Sequence, residues 1–333
     1  MTPRPGTGSD AWTLSLISLF TQVLCALALY LYRAVSTPAY LSVLLAAPAI
    51  LLLCVFAGRG VRLPRWLAPL PCLASLLDTL IAFYALCAVL RDVMPDIQLP
   101  AAALLYALCL AAGLAGAAPS ALPRTARLML LVLLPMAFFC LCCALPHGKT
   151  EHLFPLLGFG PASVLRGCIW VLGASAGVCC PLLSAGGPPR RRMLLSLLAA
   201  FLLAAAAALA AAWLMPVYAL AAPRTVGWRM LLVTHMTPSV PCWSVQVALV
   251  TLLLLLSLAV SVRRAAAFAA SSFGVERKAG NHWAETLFLL LLIPFSAMQT
   301  ESVRAFLVTA GPLRFPCMAA AAVGSYAAGR RRK

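Results

Sequence analysis

Apolar positions along this chain fall into long unbroken runs. They do not show the alternation of half-buried strands or the three-to-four-residue rhythm of surface helices. Ten runs are expected to cross a bilayer: residues 12–32, 39–57, 69–90, 99–118, 128–146, 162–185, 193–216, 241–262, 284–299 and 305–328. Each is close to the ~20 residues that a ~30 Å hydrocarbon core demands of a helix; the ninth is short and contains Pro294. Such runs have to be helical, because lipid offers no partner to backbone N–H and C=O groups. The longest polar connections, 144–161, 217–240 and 263–283, are too short for a soluble domain. The expected fold class is therefore all-α: residues 1–333 form one integral-membrane bundle of ten helices. Ten divides into five and five, and an odd number per half inverts the second half relative to the first. That is the LeuT-like inverted repeat on which many transporters are built.

The basic residues test this threading. With the N-terminus in the cytoplasm, seventeen Lys and Arg fall on the cytoplasmic side: Arg4, the arginines of 59–65, Arg124 and Arg127, 190–192, Arg263, Arg264, Arg277, Lys278 and 330–333. Six fall outside (Arg33, Arg91, Lys149, Arg224, Arg229 and Arg304), while Arg166 and Arg314 lie inside or near spans. This bias follows the positive-inside rule and places both termini in the cytoplasm.

Composition narrows the function classes. The 333 residues are 63% hydrophobic with mean hydropathy +0.99, which excludes a soluble enzyme of this size. The net charge of +17 needs no nucleic-acid partner, since the basic residues face the anionic cytoplasmic leaflet. Nearly all of the thirteen cysteines sit inside spans, where they act as small apolar residues. The Cys140–Cys143 cluster has no histidine at zinc-like spacing. Neither a metal nor another cofactor is expected. His147, Glu151 and His152 read as a solvated loop, and Trp12, Trp66, Trp228, Trp243 and Trp283 as interfacial anchors. The first ten residues are polar, and the apolar run after them ends in Tyr30, Tyr32 and Arg33, so the first span reads as a retained anchor rather than a cleaved signal. No HExxH, Walker or Ser–His–Asp pattern is present, and no enzyme activity is expected.

Chemistry is confined to a few polar residues within spans. Asp78 lies near the centre of the third span, where a carboxylate is costly unless it faces a polar interior or is protonated. Pro71, Ala74, Ser75, Ala82 and Ala85 share its helix face, a small-residue stripe that admits a close neighbour. Asp78 reads either as a proton-coupling or amine-binding group, or as a structural acid bonded to another helix. No partner for it is visible. In the sixth span, Gly173, Ser175 and Gly177 permit two readings: a GxxxG packing face, or an unwound stretch offering backbone groups to a ligand. The first span carries Ser15, Ser18, Thr21 and Gln22, with Ser15, Ser18 and Gln22 on one face, as a cavity wall or as interhelical hydrogen-bonding groups. It has no Gly or Pro, so an uninterrupted helix is expected. Gln246 is the nearest polar group of the eighth span.

From the third span onward the order of features resembles a known family. The segment LLDTLIAFYALCAVLRDVMPDIQLP is followed by LPRTARLMLLVLLPMAFF, and then by LFPLLGFGPASVLRG leading into the Gly-rich sixth span. Over about 76–184 this is similar to the spore germination permeases, the B subunits of endospore germinant receptors. They belong to the amino acid–polyamine–organocation transporter group. The resemblance implies a multi-pass protein of the cell or spore inner membrane. It further implies a central pocket between the first, third, sixth and eighth spans, lined by Gly173, Ser175, Gly177, Thr21, Gln22 and Gln246, that senses an amino acid or similar small germinant. It implies A- and C-type receptor subunits as partners. Two alternatives stay open: a proton-coupled secondary transporter of small solutes acting through Asp78, and a structural subunit without a ligand.

Overall fold

The structure is a computed structural model, and it describes residues 9–59, 63–93, 113, 121–144, 146, 148–154, 158–185, 191–214, 242–273 and 301–330. The ninth predicted span, 284–299, and the connection 217–240 lie outside these residues, as does the fourth span, 99–118, except for residue 113. Every described element is helical. The helices are α1 (Ser9–Ala26), α2 (Tyr32–Ala34), α3 (Ala39–Arg59), α4 (Pro69–Val93), α5 (Ala121–Ala144), α6 (Pro161–Ser175), α7 (Cys180–Ala185), α8 (Arg191–Leu214), α9 (Cys242–Phe273), α10 (Glu301–Ala310) and α11 (Arg314–Arg330).

Seven stretches among the described residues are long and apolar enough to cross a membrane: Thr13–Ala34, Ala39–Gly58, Arg65–Leu90, Pro161–Leu183, Arg191–Leu214, Ala248–Phe273 and Ser302–Gly329. They fall on the predicted first, second, third, sixth, seventh, eighth and tenth spans. The fifth predicted span falls on α5, which begins earlier, at Ala121. The N-terminal helix is the most enclosed of the seven. It packs against α5, α6, α8 and α9, while α3 covers α6 and α8, and α4 runs along α9 and α11. Much of the outward surface is apolar. Leu195, Leu202 and Leu209 recur every seventh residue along α8 and are exposed, as are Leu45 and Leu52 on α3. Exposed leucine stripes of this length call for an apolar surrounding.

Among the described residues, three of the apolar stretches depart from continuous α-helices, and a fourth is longer than expected. The first span is not uninterrupted as expected: Leu27–Leu31 is a π-turn between α1 and α2. A π-turn inserts one residue without Gly or Pro, so composition gives no warning of it. The sixth span changes from α6 to a 3-10 turn at Ala176–Cys179 before α7. The tenth is divided by a 3-10 turn at Gly311–Leu313 into α10 and α11. The eighth does not end near 262. It continues helical to Phe273, so Arg263 and Arg264 sit within a helix rather than in the predicted cytoplasmic loop.

The connection into the sixth span shows why it reads LGFGP. Gly158 and Gly160 have φ of +53° and +103°, the left-handed region that only Gly enters freely. A Cβ on Gly158 would run into the carbonyl of Val35 and the ring of Pro38. Pro161 then occupies the first turn of α6, where its missing N–H costs nothing. The α2–α3 turn uses a less suited residue, Ser36, at φ +69° with its hydroxyl buried and without a partner. An L-residue in this conformation costs roughly 1–2 kcal/mol, against about 0.5–1 kcal/mol of extra chain entropy for Gly. Ser36→Gly should therefore raise the thermal midpoint of the purified protein, whereas Ser36→Val should lower it.

Candidate functional site

Among the described residues, the two buried charged side chains meet at one place. Asp78 lies midway along α4 and is 2% exposed. The stripe Pro71, Ala74, Ser75, Ala82 and Ala85 on the same face is buried with it. Opposite stands Arg314, the first residue of α11, 1% exposed. Its Nη1 lies 2.5 Å from Asp78 Oδ1 and also donates to Gln22 Oε1 at 3.1 Å. Its Nε donates to the carbonyl of Gly311 at 2.8 Å, so the 3-10 turn before α11 itself aims the guanidinium. Arg314 is therefore the partner that the sequence did not reveal for Asp78.

Gln22 ties the pair to two more helices. Its Nε2 donates to the Asp78 carbonyl at 3.3 Å and to Ser257 Oγ on α9 at 3.2 Å. One helical turn earlier on α1, Ser18 Oγ accepts from Arg264 Nη1 at 3.1 Å. Arg264 is half-buried and turned inward, because it shares a face of α9 with the buried Ser257 and Ser261. The assignment of Arg264 to a solvated loop is thus corrected.

Gly173 and Gly177 play different parts. A Cβ on Gly173 would sit 2.5 Å from the Gly311 carbonyl oxygen and 2.9 Å from Pro312 Cα. Here α6 and the 3-10 turn Gly311–Leu313 cross backbone to backbone. A Cβ on Gly177 would sit 2.5 Å from Asp78 Oδ2 and 3.6 Å from Arg264 Nη1, so the 3-10 turn passes directly over the charged groups. The packing reading holds for Gly173, while Gly177 lies where the helix tightens into a 3-10 turn. Trp170 locks the crossing. Its ring lies against Gly311 and stacks on Tyr30 at 5.2 Å. Its Nε1 donates to the Val308 carbonyl at 3.0 Å, and the Arg314 guanidinium lies 5.9 Å from its ring centre.

The remaining candidates are placed less tightly. Thr21 and Ser175 are buried, and their hydroxyls find no partner. Gln246 lies on α9, but its side chain falls outside what is described. Glu151 is exposed, and His152 Nδ1 lies 3.1 Å from the Trp213 carbonyl at the end of α8. Among the described residues no group of His, Cys, Asp and Glu could hold a metal ion.

No family model matches this sequence, and no curated protein matches it. The geometry alone therefore says what the cluster can do. It holds two guanidiniums and one carboxylate among α1, α4, α9 and α11, against the interruption of the sixth span. Such an arrangement recognises charge, and nothing in it resembles a nucleophile with its base.

Arg314 and Arg264 were the residues missed by sequence reasoning, and each carried a signal. An arginine within an apolar span is as costly as an aspartate. Arg314 also shares one helix face with Met318, Ala321, Ala322 and Ser325, all buried.

Proposed function

We propose that this chain is a multi-pass membrane protein of transporter type that binds a small solute at the Asp78–Arg314 cluster. The observation that carries this reading is the buried ion pair, set where the two interrupted spans cross. A charge pair within apolar helices costs several kcal/mol per ion in desolvation, and intramembrane ionisable residues mark ligand or ion pathways by default. Interrupted helices at mid-span are how transporters bring backbone groups to a solute. The threading that goes with this reading has ten spans, a five-plus-five inverted repeat and both termini in the cytoplasm, and rests on the charge bias of the loops. The resemblance over 76–184 supports the specific form: a germinant-sensing permease-like subunit in a spore membrane, acting with A- and C-type subunits. There, solute binding would shift a conformational equilibrium by its differential affinity for two states.

The test is a thermal-shift screen of the purified protein against amino acids, nucleosides and sugars. A saturable shift in the wild type that is lost in Gly177→Val supports binding at the cluster. A screen with no shift favours the structural subunit without a ligand, and a shift unchanged in Gly177→Val places binding away from the cluster. Asp78 also keeps the second reading, proton-coupled transport, in play. That reading requires proton-dependent uptake into vesicles that Asp78→Asn abolishes.

A further inference from the structure

The charges of the cluster do not cancel, and the excess has an address. A guanidinium carries five N–H donors. For Arg314, the Nε–H goes to Gly311 and the Nη1 hydrogens to Asp78 and Gln22. Nη2 is buried and finds no acceptor. A buried donor on a charged group left without an acceptor is among the costliest features a folded protein can carry. The second guanidinium, Arg264, lies near the other carboxylate oxygen of Asp78: a Cβ on Gly177 would stand 2.5 Å from Asp78 Oδ2 and 3.6 Å from Arg264 Nη1. Among the described residues, two positive groups thus stand near one negative group, an excess of one positive charge. Two neutral donors that also find no partner, the hydroxyls of Thr21 and Ser175, lie on α1 and α6, beside Gln22 and the 3-10 turn.

We infer that the solute of this site is a small monoanion, a carboxylate or an inorganic anion of similar size, held by Arg314 Nη2 and Arg264 while Asp78 fixes the Arg314 fork. This deepens the proposed solute-binding function and rests on it. A zwitterionic amino acid adds no net charge and would leave the excess uncompensated; a monoanion neutralises it. The guanidinium fork is suited to such a ligand because it offers paired, charge-assisted donors. Arg264 is half-buried and Arg314 fully buried, so of the two guanidiniums Arg264 is the more accessible to an entering anion.

The experiment uses the full chain in lipid nanodiscs and one size-matched series: acetate, acetamide, methylammonium, glycine and chloride. Binding is read by thermal shift and calorimetry. Acetate should bind saturably, while acetamide, methylammonium and glycine at the same concentration should not. Competition by chloride would assign the site to anions generally, and its absence to carboxylates. Arg264→Gln should weaken anion binding at least tenfold without lowering the unliganded midpoint, and Arg314→Lys should weaken it further. Glycine or a neutral solute binding in place of the anion would overturn the inference and leave solute binding at the cluster intact. Anion binding indifferent to both arginine variants would overturn it as well. Failure of every solute here and in the broad screen would sink both readings.

Discussion

Replacing Arg314 with Met should cost the folded protein about 3–5 kcal/mol, the usual loss when one partner of a buried ion pair is removed. The reason lies in what is left behind. Asp78 Oδ1 would keep its burial and lose its close charged partner, and Gln22 would lose the donor that holds its Oε1. Asp78→Leu alone should be costly in the same way, since it strands two guanidiniums. The double variant Asp78→Leu/Arg314→Met should recover much of the loss, because apolar groups of similar volume often replace a buried pair at little cost. Denaturant titration in mixed micelles would give the four stabilities. Strong non-additivity is expected, and strictly additive losses would show that the two side chains do not interact.

The second large effect is expected at the helix crossing. Gly173→Leu places a branched side chain where the Gly311 carbonyl and Pro312 Cα already stand. Both are backbone atoms and neither can rotate away, so α6 and α11 must separate. Overfilled cores lose about 1–3 kcal/mol. Here the separation would also pull Trp170 Nε1 from the Val308 carbonyl and Arg314 from Asp78. Gly173→Leu should therefore lower both the thermal midpoint and any solute response, with tryptophan fluorescence reporting the exposure of Trp170. Gly177→Ala is the control. Its Cβ meets Asp78 Oδ2, the end of a side chain, so solute binding should fall more than stability.

The helical character of the chain and the positions of its apolar helices were legible because a long apolar run has few ways to fold. The inward stripe around Asp78 was legible for a similar reason: small residues at helical spacing around an acid mark a packed face. The π-turn at Leu27–Leu31 was not, because no residue type requires it. The interruption at Gly311–Leu313 was written as Gly-Pro inside the tenth run, a breaker pair that the overall hydropathy of the run hides. The partner of Asp78 lay 236 residues away, and a single chain carries no direct signal of such a pairing. What it does carry is the rarity of charge within spans. Once Asp78 is placed inside the bundle, Arg314 and Arg264 are among the described cations that share a helix face with buried residues, and electrostatics favours a meeting of opposite charges.

The account stands most directly on the ionisation of Asp78, which infrared difference spectroscopy can read in lipid as wild type minus Asp78→Asn. The structure predicts an ionised carboxylate band that shifts in Arg314→Lys. A protonated-acid carbonyl band in its place, or a carboxylate band indifferent to residue 314, would contradict the pairing on which the site is built.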